Sequence, residues 1–229
     1  MGDLPAPRLS IILPVLDEAG SIRATLASLA PLRAAGHQVI VADGGSRDAT
    51  TTLCQGWVDH LVAAPRGRAR QMNAGAVLAQ GDVLLFLHAD TQLPPQAAQL
   101  VARALRGGAG WGRFDVQISG QSRLLPLVAA LMNVRSRCTG IATGDQAMFV
   151  RRALFQAVGG FADQPLMEDI QLSRQLRRIG RPACLRAKVT TSGRRWDSRG
   201  AWRTITLMWW LRWRYWCGAA PEQLARAYR

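Results

Sequence analysis

The stretch Val83–Pro95, VLLFLHADTQLPP, decides how the chain is read. Five apolar residues run up to His88, Ala89 and Asp90, and a Thr-Gln pair and two prolines follow. A short continuous apolar run bounded by turn residues marks a strand buried on both faces. Two readings of its polar end stand side by side. One is a turn that caps a strand. The other is a set of metal ligands, because side chains at alternate positions of an extended chain share a face. His88, Asp90 and Gln92 are that candidate set. The oxygen ligands suit Mg²⁺ or Mn²⁺, and the imidazole suits Mn²⁺ better.

The same grammar recurs on either side. RLSIILPV (8–15) and QVIVAD (38–43) read as buried strands that lead to Asp17-Glu18 and to Asp43. HLVAAP (60–65) is a third, shorter strand. Helical patterns lie between them. Ser46 is the expected N-cap of the second, with Asp48 in its first turn. Pro94 and Pro95 open a further helix, and Gly107 follows its end. Strand–helix alternation with short loops predicts a parallel sheet with helices on both faces. Such sheets bind ligands beyond the carboxyl ends of their strands. Acids at three of those ends predict one shared crevice. Past Gly110 the rhythm changes to a strand (WGRFDVQIS), a helix, a Gly/Thr loop and a helix entered through Glu168 and Asp169.

The chain has 229 residues, 48% of them hydrophobic, enough to bury a core without staples. Its four cysteines form no CxxC pair, so a cytoplasmic chain without a disulfide framework is expected. No charged-then-apolar leader is visible. The apolar runs 124–132 and 205–211 fall short of the roughly 20 residues that a spanning helix needs. Charge is unevenly spread: 15 basic and 13 acidic residues over 1–169, against 14 basic and 2 acidic over 170–229. That asymmetry points to an anionic partner. No nucleic-acid recognition motif is present, and basic charge alone is non-specific. A non-catalytic α/β protein binding nucleic acid or another anionic surface is therefore the contrasting class. A dinucleotide enzyme is excluded by the missing G-x-G-x-x-G after the first strand. A nucleoside diphosphate sugar fits better, because its diphosphate needs a cation and its base and ribose need acceptors such as Asp43.

Six segments in order carry a family resemblance: SIILPVLDEAGSI, VIVADGGSRDAT, RGRARQMNAGA, LLFLHADTQLPP, GDQAMFVRRALFQAVGGF and LMEDIQLSRQLRRIGR. Together they resemble the family 2 glycosyltransferases, in a small stand-alone bacterial subgroup. The resemblance implies the GT-A fold, a Rossmann-like mixed sheet flanked by helices, over residues 1–200. It implies nucleotide contacts from Pro14, Asp17, Glu18, Asp43, Ser46, Arg68 and Asn73. Asp90 matches the last acid of a D-x-D-type metal motif, with His88 in place of the first acid and Gln92 at the end of a related lipid-phosphate pattern. Asp169 matches the catalytic base of an inverting transfer, with Glu168 beside it. The resemblance also implies that Asp145 borders the acceptor site. Arg195 and Trp196 match the R-W of a motif near acceptor and diphosphate, although its Gln position is Ser192. The acceptor itself is a hydroxyl or a lipid phosphate.

Residues 201–229 form a Trp/Arg-rich tail. On a helix, Trp202, Ile205, Trp209, Trp213 and Trp216 fall within about 80° of one another. The stripe packs on the domain or lies on anionic lipid, where Trp favours the headgroup zone and Arg the phosphates. The second reading puts the protein peripherally on the inner face of the membrane.

Overall fold

The computed structural model describes residues 6–228, without the side chains of Arg195, Ser198, Arg199 and Ala201. In chain order the elements are β1 (Leu9–Val15), α1 (Ile22–Ala34), β2 (Gln38–Asp43), α2 (Thr50–Cys54), β3 (His60–Ala63), α3 (Arg68–Val77), β4 (Val83–Phe86), β5 (Thr91–Gln92) and α4 (Ala97–Arg106). There follow β6 (Trp111–Ser119), α5 (Leu125–Thr139), a 3-10 turn (Gly144–Gln146), β7 (Phe149–Arg151), α6 (Arg152–Ala157) and α7 (Glu168–Ile179). The chain closes with β8 (Ala183–Ser192), α8 (Arg194–Arg199), α9 (Ala201–Trp216) and α10 (Pro221–Tyr228).

The strands form one mixed sheet in the order β3-β2-β1-β4-β7-β6-β8-β5. The first half, β3-β2-β1-β4, is parallel as the alternation predicts. β7 runs antiparallel to both β4 and β6, and β6 pairs parallel with β8. The strand order reverses between β1 and β4, so their outgoing loops diverge and leave a crevice between them.

Side chains alternate across β1. Leu9, Ile11 and Leu13 join the core under α1 and α4, while Ile12 joins the opposite core with Met72 of α3, Phe86 and Leu172 of α7. The sheet is thus buried on both faces, which is why its central strands read as unbroken apolar runs. Two glycines permit close layers. A Cβ on Gly75 of α3 would lie 2.5 Å from Ile12 Cγ2, and one on Gly81 would lie 2.6 Å from the Arg8 carbonyl oxygen.

A buried polar network fixes α5 on β6. The Asn133 side chain accepts from the Val116 N–H and donates to the Val116 carbonyl, both at 2.9 Å. The fully buried Arg113 donates to Ser136 Oγ and to the Asn133 carbonyl and pairs with Asp115, which Arg137 also holds. A buried charge is tolerated when paired and hydrogen-bonded in this way.

The tail helix α9 packs on the domain through the face opposite its tryptophans. Leu211 is fully buried in a cluster with Leu166, Met167 and Ile170, and Leu224 of α10 closes it. Trp202, Trp209, Trp213 and Trp216 are left exposed, while Ile205 packs against the main core. The face that carries Leu211 is thus packed on the domain, while four tryptophans of the stripe stay exposed. No helix among the described residues is long and apolar enough to cross a membrane.

Two local expectations are corrected. β4 stops at Phe86 and the chain turns at Ala89–Asp90, so the extended conformation does not run through to Gln92. α2 begins at Thr50 with Ala49 as its cap residue, not at Ser46. The intervening turn is held instead by Asp43 and Asp48, whose carboxylates accept backbone N–H groups.

Candidate functional site

One cavity of about 740 Å³ opens beyond the carboxyl ends of β1 and β4. Its walls come from those strand ends, the start of α3, the 3-10 turn, α5, the start of α7 and the α8–α9 segment. Pro14, Glu18, Arg68, His88, Asp90, Asp145, Glu168, Asp169 and Trp196 all line it. Far-separated stretches thus bring their acids to a single space.

On one side stand Glu18 and Asp90, which follow β1 and β4. Arg194, at the start of α8, bridges them: its Nη2 lies 3.2 Å from Glu18 Oε2 and 3.4 Å from Asp90 Oδ2. The two acids hold this guanidinium more firmly protonated than usual, chiefly through the Glu18 hydrogen bond. Two carboxylates from separate loops converging on one positive group suit a hard divalent cation that fills its shell with phosphate oxygens. Among the described residues no three His, Cys, Asp or Glu side chains gather into a complete metal site. A cation here would be shared with a substrate. Gln92 does not line the cavity; it is exposed on β5, opposite Thr190 of β8.

Glu168 and Asp169 line the same cavity from the first turn of α7. That end of a helix favours negative charge. Burial, and then the neighbouring Asp169, push Glu168 up to about 6. Burial likewise raises Asp169, against two backbone donors: the Gly144 N–H reaches its Oδ2 at 2.9 Å and the Ile170 N–H its Oδ1 at 2.7 Å. Arg68 faces this pair from the start of α3. Its side chain is exposed to solvent at the cavity wall. Desolvation opposes its charge, but Glu168 and the other acids outweigh that and keep it protonated.

His88 sits beside the 3-10 turn, with Nδ1 3.2 Å from Asp145 Oδ1. Its ring rests on Gly144, where a Cβ would come within 2.5 Å of Nε2. Glycine at 144 is thus what lets the imidazole reach Asp145.

Five expected contact residues stand outside the cavity lining. Asp43 is buried and accepts from the Gly45 and Ser46 N–H groups and from Ser46 Oγ, so the plain turn-capping role accounts for its bonds. Ser46 Oγ in turn accepts from the Asp17 N–H, and Asp17 Oδ1 accepts from the Arg47 N–H. These three residues stitch two loops together. Asn73 makes a two-way pair with the Phe161 backbone, and Gln92 lies on the far strand. The side chain of Arg195 lies outside the described residues.

Sequence reasoning missed the cavity residues Arg66, Gln71, Arg135 and Arg212, and Arg194, which pairs with two of the lining acids. Gln71 Nε2 donates to the carbonyls of Val15 and Ala42 and so ties the ends of β1 and β2. Arg66 and Gln71 fall inside the RGRARQMNAGA segment, whose resemblance points to Arg68 and Asn73 instead, and no quoted segment covers Arg135 or Arg212. In a chain with 29 basic residues, arginines in the cavity do not stand out from the rest.

A family model described as glycosyl transferase family 2 matches residues 10–154, more than half of the chain. The chain belongs to glycosyltransferase family 2. An undecaprenyl-phosphate 4-deoxy-4-formamido-L-arabinose transferase of Pseudomonas fluorescens is 31% identical over 170 residues, covering 66% of this chain and 48% of that protein. The chain thus spans about half the length of this relative. Among solved structures, a mannosyltransferase from Pyrobaculum calidifontis in complex with GDP-Man and Mn²⁺ superposes with a TM-score of 0.66 at 21% identity, covering 97% of this chain and 69% of that one. The S. aureus TarS 1–349 structure in complex with UDP-GlcNAc gives 0.63 at 17% identity, covering 82% and 59%. The mixed sheet flanked by helices is the GT-A fold that the six segments imply.

Proposed function

We propose that this glycosyltransferase moves a sugar, with inversion, from a nucleoside diphosphate sugar to an acceptor held beside Asp169. The observation that carries the reading is the placement of two acid groups in one cavity. Glu18 and Asp90 share Arg194, Glu168 and Asp169 lie within electrostatic reach of Arg68, and all four acids line that cavity.

In this reading the nucleotide lies over Pro14 and Glu18, and Arg66, Arg68 and Arg194 face its diphosphate. Asp90 would hold a divalent cation, with Glu18 next to it, and the cation's charge when bound offsets that of the diphosphate. An acceptor oxygen attacks the anomeric carbon while the bond to the diphosphate breaks. Where that oxygen carries a proton, Asp169 takes it. The two backbone N–H bonds fix the direction of the Asp169 carboxylate, and its raised affinity for protons suits the task. The arginines stabilise the charge on the departing nucleotide. The exposed tryptophans of α9, with arginines around them, suit a peripheral seat on anionic lipid at the inner face of a membrane.

A thermal-shift screen of nucleoside diphosphate sugars, with and without Mn²⁺, tests the donor. At least one uridine or guanosine diphosphate sugar should stabilise the protein, by about 2.7 kcal/mol at a hundredfold excess over Kd. Asp90→Ala should weaken that response. No stabilisation by any donor sinks the reading.

A further inference from the structure

The wall formed by α5 and α9 contains charge that the donor reading does not use. Nε and Nη2 of Arg135 and Nε of Arg212 are buried and have no hydrogen-bond partner among the described residues. Both arginines line the cavity. A buried guanidinium donor left without a partner opposes folding, so its position calls for a ligand. Arg135 is not there by slackness, since α5 is pinned to β6 by Asn133, Ser136 and Arg113. It also lies within electrostatic reach of the site. Burial pushes its guanidinium below the usual arginine range, and Asp169 and Asp145 oppose that.

Around these two arginines the lining turns apolar, with Met132 and Met208 inside and Leu131, Val134 and Trp209 at the mouth. The last three are 51%, 58% and 65% exposed. Side chains that both line a cavity and stand more than half in solvent form its rim. An apolar rim above guanidinium nitrogens left without partners among the described residues matches an anionic head on an apolar chain.

We infer that Arg135 and Arg212 form the anion subsite of the acceptor, and that the acceptor is an amphiphile with a phosphate monoester head whose chain leaves between α5 and α9. The inference rests on the proposed transfer reaction and names the acceptor for it. Guanidinium donors in a fixed fork match phosphate oxygens. A phosphate oxygen attacks the anomeric carbon, the bond from that carbon to the donor diphosphate breaks, and its electron pair leaves with the nucleoside diphosphate. The product is a glycosyl phosphodiester. A phosphate monoester has its second pKa near about 6. Above that pH the attacking oxygen carries no proton, and Asp169 has none to remove.

Decyl phosphate, decanol and inorganic phosphate, each titrated calorimetrically into the full chain, test the subsite and separate a lipid head from a free phosphate. Decyl phosphate should bind at least about tenfold more tightly than either of the others, an increment of about 1.4 kcal/mol. Arg135→Gln and Arg212→Gln should each lose about tenfold in that phosphate preference. Both should keep donor-induced stabilisation within about twofold, and both should melt at or above the parent temperature, because buried guanidinium donors without partners have been removed. Equal binding of decanol and decyl phosphate overturns the head-group assignment. Equal binding of inorganic phosphate overturns the amphiphile. Loss of donor binding in proportion places the arginines on the donor diphosphate and overturns the inference too. If no donor binds but the decyl phosphate preference stands and follows the two arginines, the transfer reading has failed and the anion subsite has not.

Discussion

Glu168→Gln separates the electrostatic cost of the site from its packing. Glu168 is only 6% exposed, and burial together with Asp169 raises its pKa from 4.5 to about 6. A carboxyl group whose folded pKa lies above its unfolded one supports the fold while protonated and opposes it once ionised. The favourable contribution is complete below about 4.5 and is lost as pH rises through about 6. The whole swing is about 2 kcal/mol. Gln keeps the shape and carries no charge to desolvate. At pH 8 the variant should therefore be more stable by about 2 kcal/mol, a Tm rise of about 4–8 °C for a chain of this length. At pH 4.5 the two proteins should melt together. Differential scanning calorimetry at pH 8, 6 and 4.5 gives the comparison. A Tm difference that does not change with pH would refute the reasoning. So would a variant less stable than the parent at pH 8, which would mean that Arg68 stabilises the Glu168 carboxylate by more than burial costs it.

Gly144→Ala should leave Tm within about 2 °C, because the atom in its way is the end of a movable side chain, but it should push His88 off Asp145; an unchanged His88 chemical shift in NMR would contradict this. Gly81→Ala meets the backbone of Arg8, Leu9 and Ser10, so it should destabilise by about 3 kcal/mol or more, and by more than Gly75→Ala, whose Cβ meets only Ile12; urea titration ranks the two. Asp43→Ala removes the acceptor for two backbone N–H groups and a hydroxyl, and should cost about 1–3 kcal/mol of stability even without ligand, measured by the same titration. Replacing Trp202, Trp209, Trp213 and Trp216 together by Ala should abolish sedimentation with anionic vesicles while holding Tm within a few degrees. Ending the chain at Gly200 is the poorer test, because it also strips Leu211 from Met167 and Ile170.

The parallel half of the sheet is plain in the sequence because strands buried on both faces leave no polar positions, as in ILPV and VLLF. The antiparallel β7 is not. It has three residues, too few for a period, and its direction depends on where the chain returns from α5. The site divides in the same way. Asp169 and Asp90 are legible because each begins or follows a strong element. Asp43 stands at a strand end as expected, yet whether its oxygens face a cavity or the next turn depends on backbone N–H groups two and three residues on. Gln92 turns away because the chain bends at Ala89–Asp90, ahead of the prolines that suggest extension. Arg194 reaches the two acids, while the side chain of Arg195, which the R-W pair singles out, lies outside the described residues; spacing alone does not choose between adjacent arginines on a helix, which point about 100° apart.

Backbone strain ties these pieces together. Among the described residues, three that are not glycine have positive φ: Asp17 at 53°, Ala147 at 44° and Met167 at 67°. Each adjoins a cavity element: Asp17 precedes Glu18, Ala147 closes the turn that donates to Asp169, and Met167 precedes Glu168. Such conformations cost about 1–3 kcal/mol each and persist where the surroundings fix them. At Met167 the fixing contact is visible, since its side chain is buried with Leu211 of α9. Glycine there would relieve the dihedral but lose that packing. The tail helix therefore does more than present tryptophans to solvent: it holds the residue that sets the entry of α7, and with it the direction of the acid pair. A substitution such as Leu211→Ala, more than two dozen residues beyond any acid of the site, should then lower kcat more than it changes donor binding.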